Sequence, residues 1–135
     1  MLRELIQEYN KSRNFYTGMY SALPLCHDAQ PATVINRCDE KLYSNIWYNR
    51  KNQFDPNFNC NSLKSLFDDV CHFKTVLFCF LDALENHYVN VCEVFEGEDC
   101  PYCNYIKTYF GKMEDLYSDI KSLIKKIEKE MNNSN

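Results

Sequence analysis

The apolar positions of the chain fall into three long ladders separated by polar breaks. Near the start, Leu2, Leu5, Ile6, Tyr9, Tyr16, Met19, Tyr20 and Leu23 recur at helical spacing, while Arg3, Glu4, Glu8, Lys11 and Arg13 lie mostly off that stripe. This pattern predicts a first helix closed by Pro24. Residues 25–31, with Cys26 and His27, have no clear period and read as a loop. A shorter helix follows from Thr33 or Asn36 to Tyr48, with Ile35, Cys38, Leu42 and Ile46 on its inner face. The stretch 49–60 is dense in Asn and interrupted by Pro56, which marks a surface loop.

Asn61 or Ser62 then offers an N-cap to the longest ladder: Leu63, Leu66, Phe67, Val70, Phe73, Leu77, Phe78, Leu81, Leu84, Tyr88, Val91 and Phe95. Its weak point is 86–90, where Tyr88, Val89 and Val91 also fit a short strand. Residues 96–99 connect it to a last helix with Pro101 at an early position, where a missing N–H costs nothing. That helix carries Tyr102, Ile106, Tyr109, Met113, Leu116, Tyr117, Ile120, Leu123, Ile124 and Ile127. The expectation is an all-α chain: a single disulfide-stapled helical domain over 1–131, of four or five helices. Two long antiparallel helices dominate it, and 132–135 form a disordered tail.

Composition narrows this picture. Three glycines and four prolines in 135 residues leave too little turn chemistry for a many-stranded β fold. A net charge of −4 argues against a nucleic-acid module, which carries a basic face. The most apolar run, 76–81, is too short to span a bilayer. The acids of the first eight residues do not fit a secretory signal. Membrane attachment is therefore expected only through a segment absent from this chain.

The eight cysteines are the strongest departure from average usage. An even count in an extracellular setting predicts disulfides, so Cys26, Cys38, Cys60, Cys71, Cys79, Cys92, Cys100 and Cys103 are all disulfide candidates, with connectivity open. Cys92 can meet Cys100 or Cys103 across the short turn, and Cys26 can close onto Cys38 or onto the central helix. Cys71 and Cys79 lie about 12 Å apart on one helix, too far to bridge each other.

Cys100-Pro101-Tyr102-Cys103 also has the C-x-x-C spacing of dithiol oxidoreductases, at a helix N-terminus where the dipole lowers a thiol pKa. The strands and downstream proline of a thioredoxin-type domain do not follow, so this enzyme reading is the alternative. Zinc would require a second close ligand doublet, and none exists. His27, His72 and His87 read as surface or boundary residues. Asp68-Asp69, Glu98-Asp99 and Glu114-Asp115 are adjacent pairs that diverge on a helix and read as solvated faces or caps. No cofactor and no catalytic residue is expected.

Of twenty aromatic residues, most fall on the apolar stripes. Tyr43, Trp47, Tyr48, Phe54 and Phe58, around the Asn-rich loop, are the binding-surface candidates, since exposed aromatics favour protein contacts. Asn10-Lys11-Ser12 and Asn132-Asn133-Ser134 match the N-glycosylation pattern, a weak signal in an Asn-rich chain.

Fifteen Asn and eleven Lys against four Arg and four Ala give the bias of an AT-rich genome. Cys38, the aromatic helix with Trp47-Tyr48, the long central helix, and Cys100-x-x-Cys103-Asn104-Tyr105 running into Tyr109 and Tyr117 together resemble the cysteine-containing ectodomain of the Plasmodium interspersed repeat (PIR, or VIR) variant surface antigens. The resemblance spans about 26–117. It implies an α-helical, disulfide-bearing, non-enzymatic domain exported to the infected red cell and displayed there. The implied roles are adhesion, antigenic variation and immune evasion, and the implied partners are a host cell-surface or serum protein, or antibody. Family members carry a transmembrane segment towards the C-terminus, and this chain departs from them in having none.

Overall fold

A computed structural model describes residues 1–23, 55–89 and 101–133. Among these the architecture is all-helical, with three helices, α1 (Leu2–Ser21), α2 (Leu63–His87) and α3 (Pro101–Asn133), and no strand. The helix expected over 33–48 and the connector at 96–99 lie outside the described residues, so three helices stand where four or five were expected.

Each boundary has a local cause. The chain enters α2 through Ser62, whose extended backbone lets its hydroxyl accept the Ser65 N–H at 3.1 Å. This is the N-cap foreseen at 61 or 62, worth about 1 kcal/mol. Pro101 opens α3, where its fixed φ suits a first helical position. At the end of α1, the Ala22 and Leu23 amides close onto the Met19 and Tyr20 carbonyls. Tyr105 of α3 also donates to the Met19 carbonyl, at 2.8 Å in a buried setting, so a tertiary contact completes the helix end.

Paired contacts fix the topology. Phe78 meets Tyr117 and His87 meets Tyr102, so α2 and α3 run antiparallel, as expected of the two long helices. Glu8 bonds Lys126 while Met19 meets Tyr105, so α1 is antiparallel to α3. Tyr9 reaches Asp69 and Tyr20 reaches Phe80, which makes α1 parallel to α2. With 25 and 33 residues, α2 and α3 are about 37 and 50 Å long.

The core follows the ladders closely. Leu66, Val70, Leu77 and Leu84 on α2 and Met113, Leu116, Ile120, Leu123 and Ile127 on α3 are all buried in one core cluster. Tyr9, Phe73, Tyr16 and Phe80 form a run of edge-to-face rings at 5.3–6.3 Å along the α1–α2 contact.

Several expectations need correction. Phe78, read as a core position, is 54% exposed, because the α2 stripe that meets α3 and α1 runs instead through Val76, Leu77, Phe80 and Ala83. His87, read as a boundary residue, is fully buried with its ring edge-on to Tyr102, whereas His72 is exposed. Residues 88–89 continue as one wider helical turn instead of a strand. Helix α3 runs through Asn133, into the stretch expected as a tail.

Candidate interaction surface at the junction of α1 and residues 55–60

The turns of α1 place Leu2, Ile6, Tyr9, Asn10 and Arg13 along one side of the helix by the i, i+3, i+4 rule. Residues 55–60 cross that side, and every strong polar group there is engaged. Asn10 acts as a two-point clamp: its amide NH₂ donates to the Phe58 carbonyl and its oxygen accepts the Phe58 N–H, both at 2.9 Å. Arg13, 7% exposed, donates through Nε to the Asp55 carbonyl at 2.6 Å and through Nη1 to Asp69 Oδ2 at 3.0 Å. The same Nη1 reaches the Tyr9 hydroxyl at 3.1 Å, and that hydroxyl donates to the Asp69 carboxylate and backbone carbonyl.

One guanidinium therefore ties together α1, α2 and the crossing segment. Its plane also lies near two rings, with Cζ 5.2 Å from the Tyr9 centroid and 5.3 Å from that of Phe58, an arrangement favourable to a cation. Tyr9 and Phe58 meet edge-on at 5.3 Å. Burial, and next the hydrogen bond to the Asp69 carboxylate, push the Tyr9 phenol well above its ordinary pKa, so it stays a neutral donor.

Beside this cluster is a shallow groove of about 460 Å³, bounded by Leu2, Arg3, Ile6 and Gln7 on α1 and by 57–60 opposite. Its floor is apolar, from Leu2, Ile6 and Phe58, and its rim is polar, from Arg3, Gln7, Asn57 and Asn59. The ionisable groups beside it, Tyr9, Arg13 and Asp69, are engaged with one another.

Of the five binding-surface aromatics, Phe58 lies here, half-buried, with its ring against Tyr9 and Arg13 and an edge on the groove. Tyr43, Trp47, Tyr48 and Phe54 lie outside the described residues, as do Cys26, Cys38, Cys92, Cys100 and His27.

The cysteines divide. Cys60, Cys71 and Cys79 are free thiols. Pairing of all eight therefore does not hold at these three, because Cys60 caps its own turn at the Ser62 carbonyl, Cys71 sits half-buried on α2, and Cys79 faces solvent. Burial pushes the Cys71 thiol up. Cys103, in the first turn of α3, is disulfide-bonded, and no disulfide joins two described residues. Among the described residues no cluster of His, Cys, Asp or Glu could hold a metal ion, and no helix is long and apolar enough to cross a membrane.

Two readings of single residues change at this junction. Asp69 pairs with a buried arginine instead of forming a solvated face with Asp68. Asn10, in a glycosylation pattern, has its amide committed to Phe58. The cluster of Tyr9, Asn10, Arg13 and Asp69 was not foreseen, although Arg13, four residues after Tyr9 and three before Tyr16, falls inside the apolar stripe. No family model, curated protein or solved structure matches the chain.

Proposed function

We propose that the protein is a non-enzymatic binding domain that engages a host protein through the junction of α1 and residues 55–60. The observation that carries this reading is the fixing of the crossing segment by Asn10 and Arg13 beside an open groove with an apolar floor and a polar rim. Interfaces form most readily where the backbone is held before binding, because little ordering entropy then remains to be lost. Residues 55–60, the described end of the Asn-rich stretch, form that edge, and the resemblance to variant surface antigens implies display at the infected red cell. A disulfide at Cys103 suits that oxidising setting.

The direct test is a screen of the refolded protein, by surface plasmon resonance, against host cell-surface receptors and serum proteins. We expect at least one specific partner, with Arg3→Glu and Asn59→Arg on the groove rim each weakening it by about tenfold. No partner, or a partner indifferent to both changes, overturns the proposal.

A second reading, a thiol–disulfide oxidoreductase using Cys100-Pro101-Tyr102-Cys103, draws on the disulfide of Cys103 at a helix N-terminus. It predicts catalysed reduction of insulin by dithiothreitol that is lost in Cys100→Ser. Turnover of that kind would displace the non-enzymatic reading.

A further inference from the structure

The outer face of the α2–α3 pair has a centre and two ends of different character. At the centre Phe78 is 54% exposed, with its ring 6.0 Å from that of Tyr117. On α2, Lys74 lies four residues before Phe78 and Asp82 four after, so all three share one side of the helix. On α3, Glu114 lies three before Tyr117 and Lys121 four after, with the Lys121 ammonium 5.0 Å from the Tyr117 ring centroid.

Because the helices are antiparallel, Lys74 and Lys121 fall at one end of the patch and Asp82 and Glu114 at the other. The face therefore carries an apolar middle, a positive end and a negative end. We propose that this face binds a second copy of the chain.

The charge pattern selects that occupant. A two-fold axis lying in the face and perpendicular to the helices reverses their direction. It sets Phe78 on Phe78 of the second copy and Lys121 opposite its Glu114. An isologous contact requires such self-complementarity, in which a residue meets its counterpart's partner in both directions. A two-fold axis along the helices would instead place like charges together, and a partner of uniform charge would be repelled at one end. A large exposed ring at the centre of the patch is also where interface energy concentrates.

The test is analytical ultracentrifugation of the whole chain, with Cys79→Ser carried throughout so that no intermolecular disulfide contributes. A concentration series reaching about 1 mM is expected to show a reversible dimer. Phe78→Glu, at an exposed site where circular dichroism should report an unchanged fold, is expected to leave only monomer. Lys121→Glu should weaken association by about tenfold, and adding Glu114→Lys should restore it to within about threefold, because the swap re-forms the cross-copy pair. A protein monomeric throughout, a dimer that survives Phe78→Glu, or a double charge swap that fails to restore association overturns the proposal.

Discussion

The α2–α3 seam and the α1 junction hold the same domain by different physics. Along the seam, Leu66, Leu77 and Leu84 pack against Met113, Ile120 and Ile127, apolar groups whose attraction has no direction and grows with buried area. At the junction, Arg13, Tyr9, Asp69 and Asn10 hold the chain by hydrogen bonds and charge, which are satisfied in one geometry only. The difference separates two tasks: the seam stabilises the fold, and the junction fixes where an irregular segment sits upon it.

This contrast predicts different responses to substitution. The largest effect should come from the seam. Leu77→Ala is expected to cost about 3 kcal/mol, through lost burial plus a cavity that rigid neighbours cannot fill. Urea denaturation should show one transition displaced as a whole. Arg13→Ala should come next, at about 2 kcal/mol, because it leaves Asp69 without its cation and the Asp55 carbonyl without its donor. The figure is held below that for a fully buried pair because the Asp69 side chain keeps 32% of its surface in water. If Arg13→Ala costs under about 0.5 kcal/mol by the same measurement, the junction is not a structural tie.

Alkaline pH probes both regions together. Burial raises the phenol pKa of Tyr9 at the junction and of Tyr16 and Tyr105 in the core. A folded pKa above the unfolded value of about 10 means that the unfolded state releases protons first, so stability is complete below about pH 10 and falls as pH rises beyond it. The slope is about 1.4 kcal/mol per pH unit for each such phenol. Phenolate absorbance from these three should therefore appear together with unfolding, and Tyr105→Phe should make the pH dependence shallower. Absorbance from all ten tyrosines before any loss of helix would contradict this.

The smallest effect should be the most local. Asn10→Ala is expected to cost about 1 kcal/mol or less. Hydrogen exchange should quicken at the Phe58 amide while amides in the middle of α2 keep their protection. Equal acceleration in both places would erase the distinction between the two regions.

Legibility in the sequence divides along the same line. Periodicity placed the three described helices, the Ser62 cap, the Pro101 start and most of the core, because apolar burial repeats every three or four residues and leaves a countable trace. It misassigned Phe78, whose apolar character fits the ladder equally well whether the ring faces inward or outward. It missed the junction because a tie between Asn10 and Phe58 crosses 48 positions and has no period. Arg13 reads as one of the polar residues mostly off the stripe, yet its spacing from Tyr9 and Tyr16 puts it on the buried side. A charged residue at a stripe position is thus a better pointer to a tertiary tie than its polarity suggests.

The bond from Tyr105 to the Met19 carbonyl and the pair formed by Glu8 and Lys126 have a consequence for the life of the chain on the ribosome. The first of these contacts bridges 86 positions and the second 118. At a synthesis rate of about 5–20 residues per second, α1 emerges roughly 6–20 seconds before the far end of α3. Tyr9, Tyr16 and Arg13 can meet residues 55–80 as soon as these emerge, whereas the side of α1 that carries Glu8 and the Met19 carbonyl waits for α3. Of the three described helices, α1 leaves the ribosome before the other two, and its contacts with α3 are among the last to form.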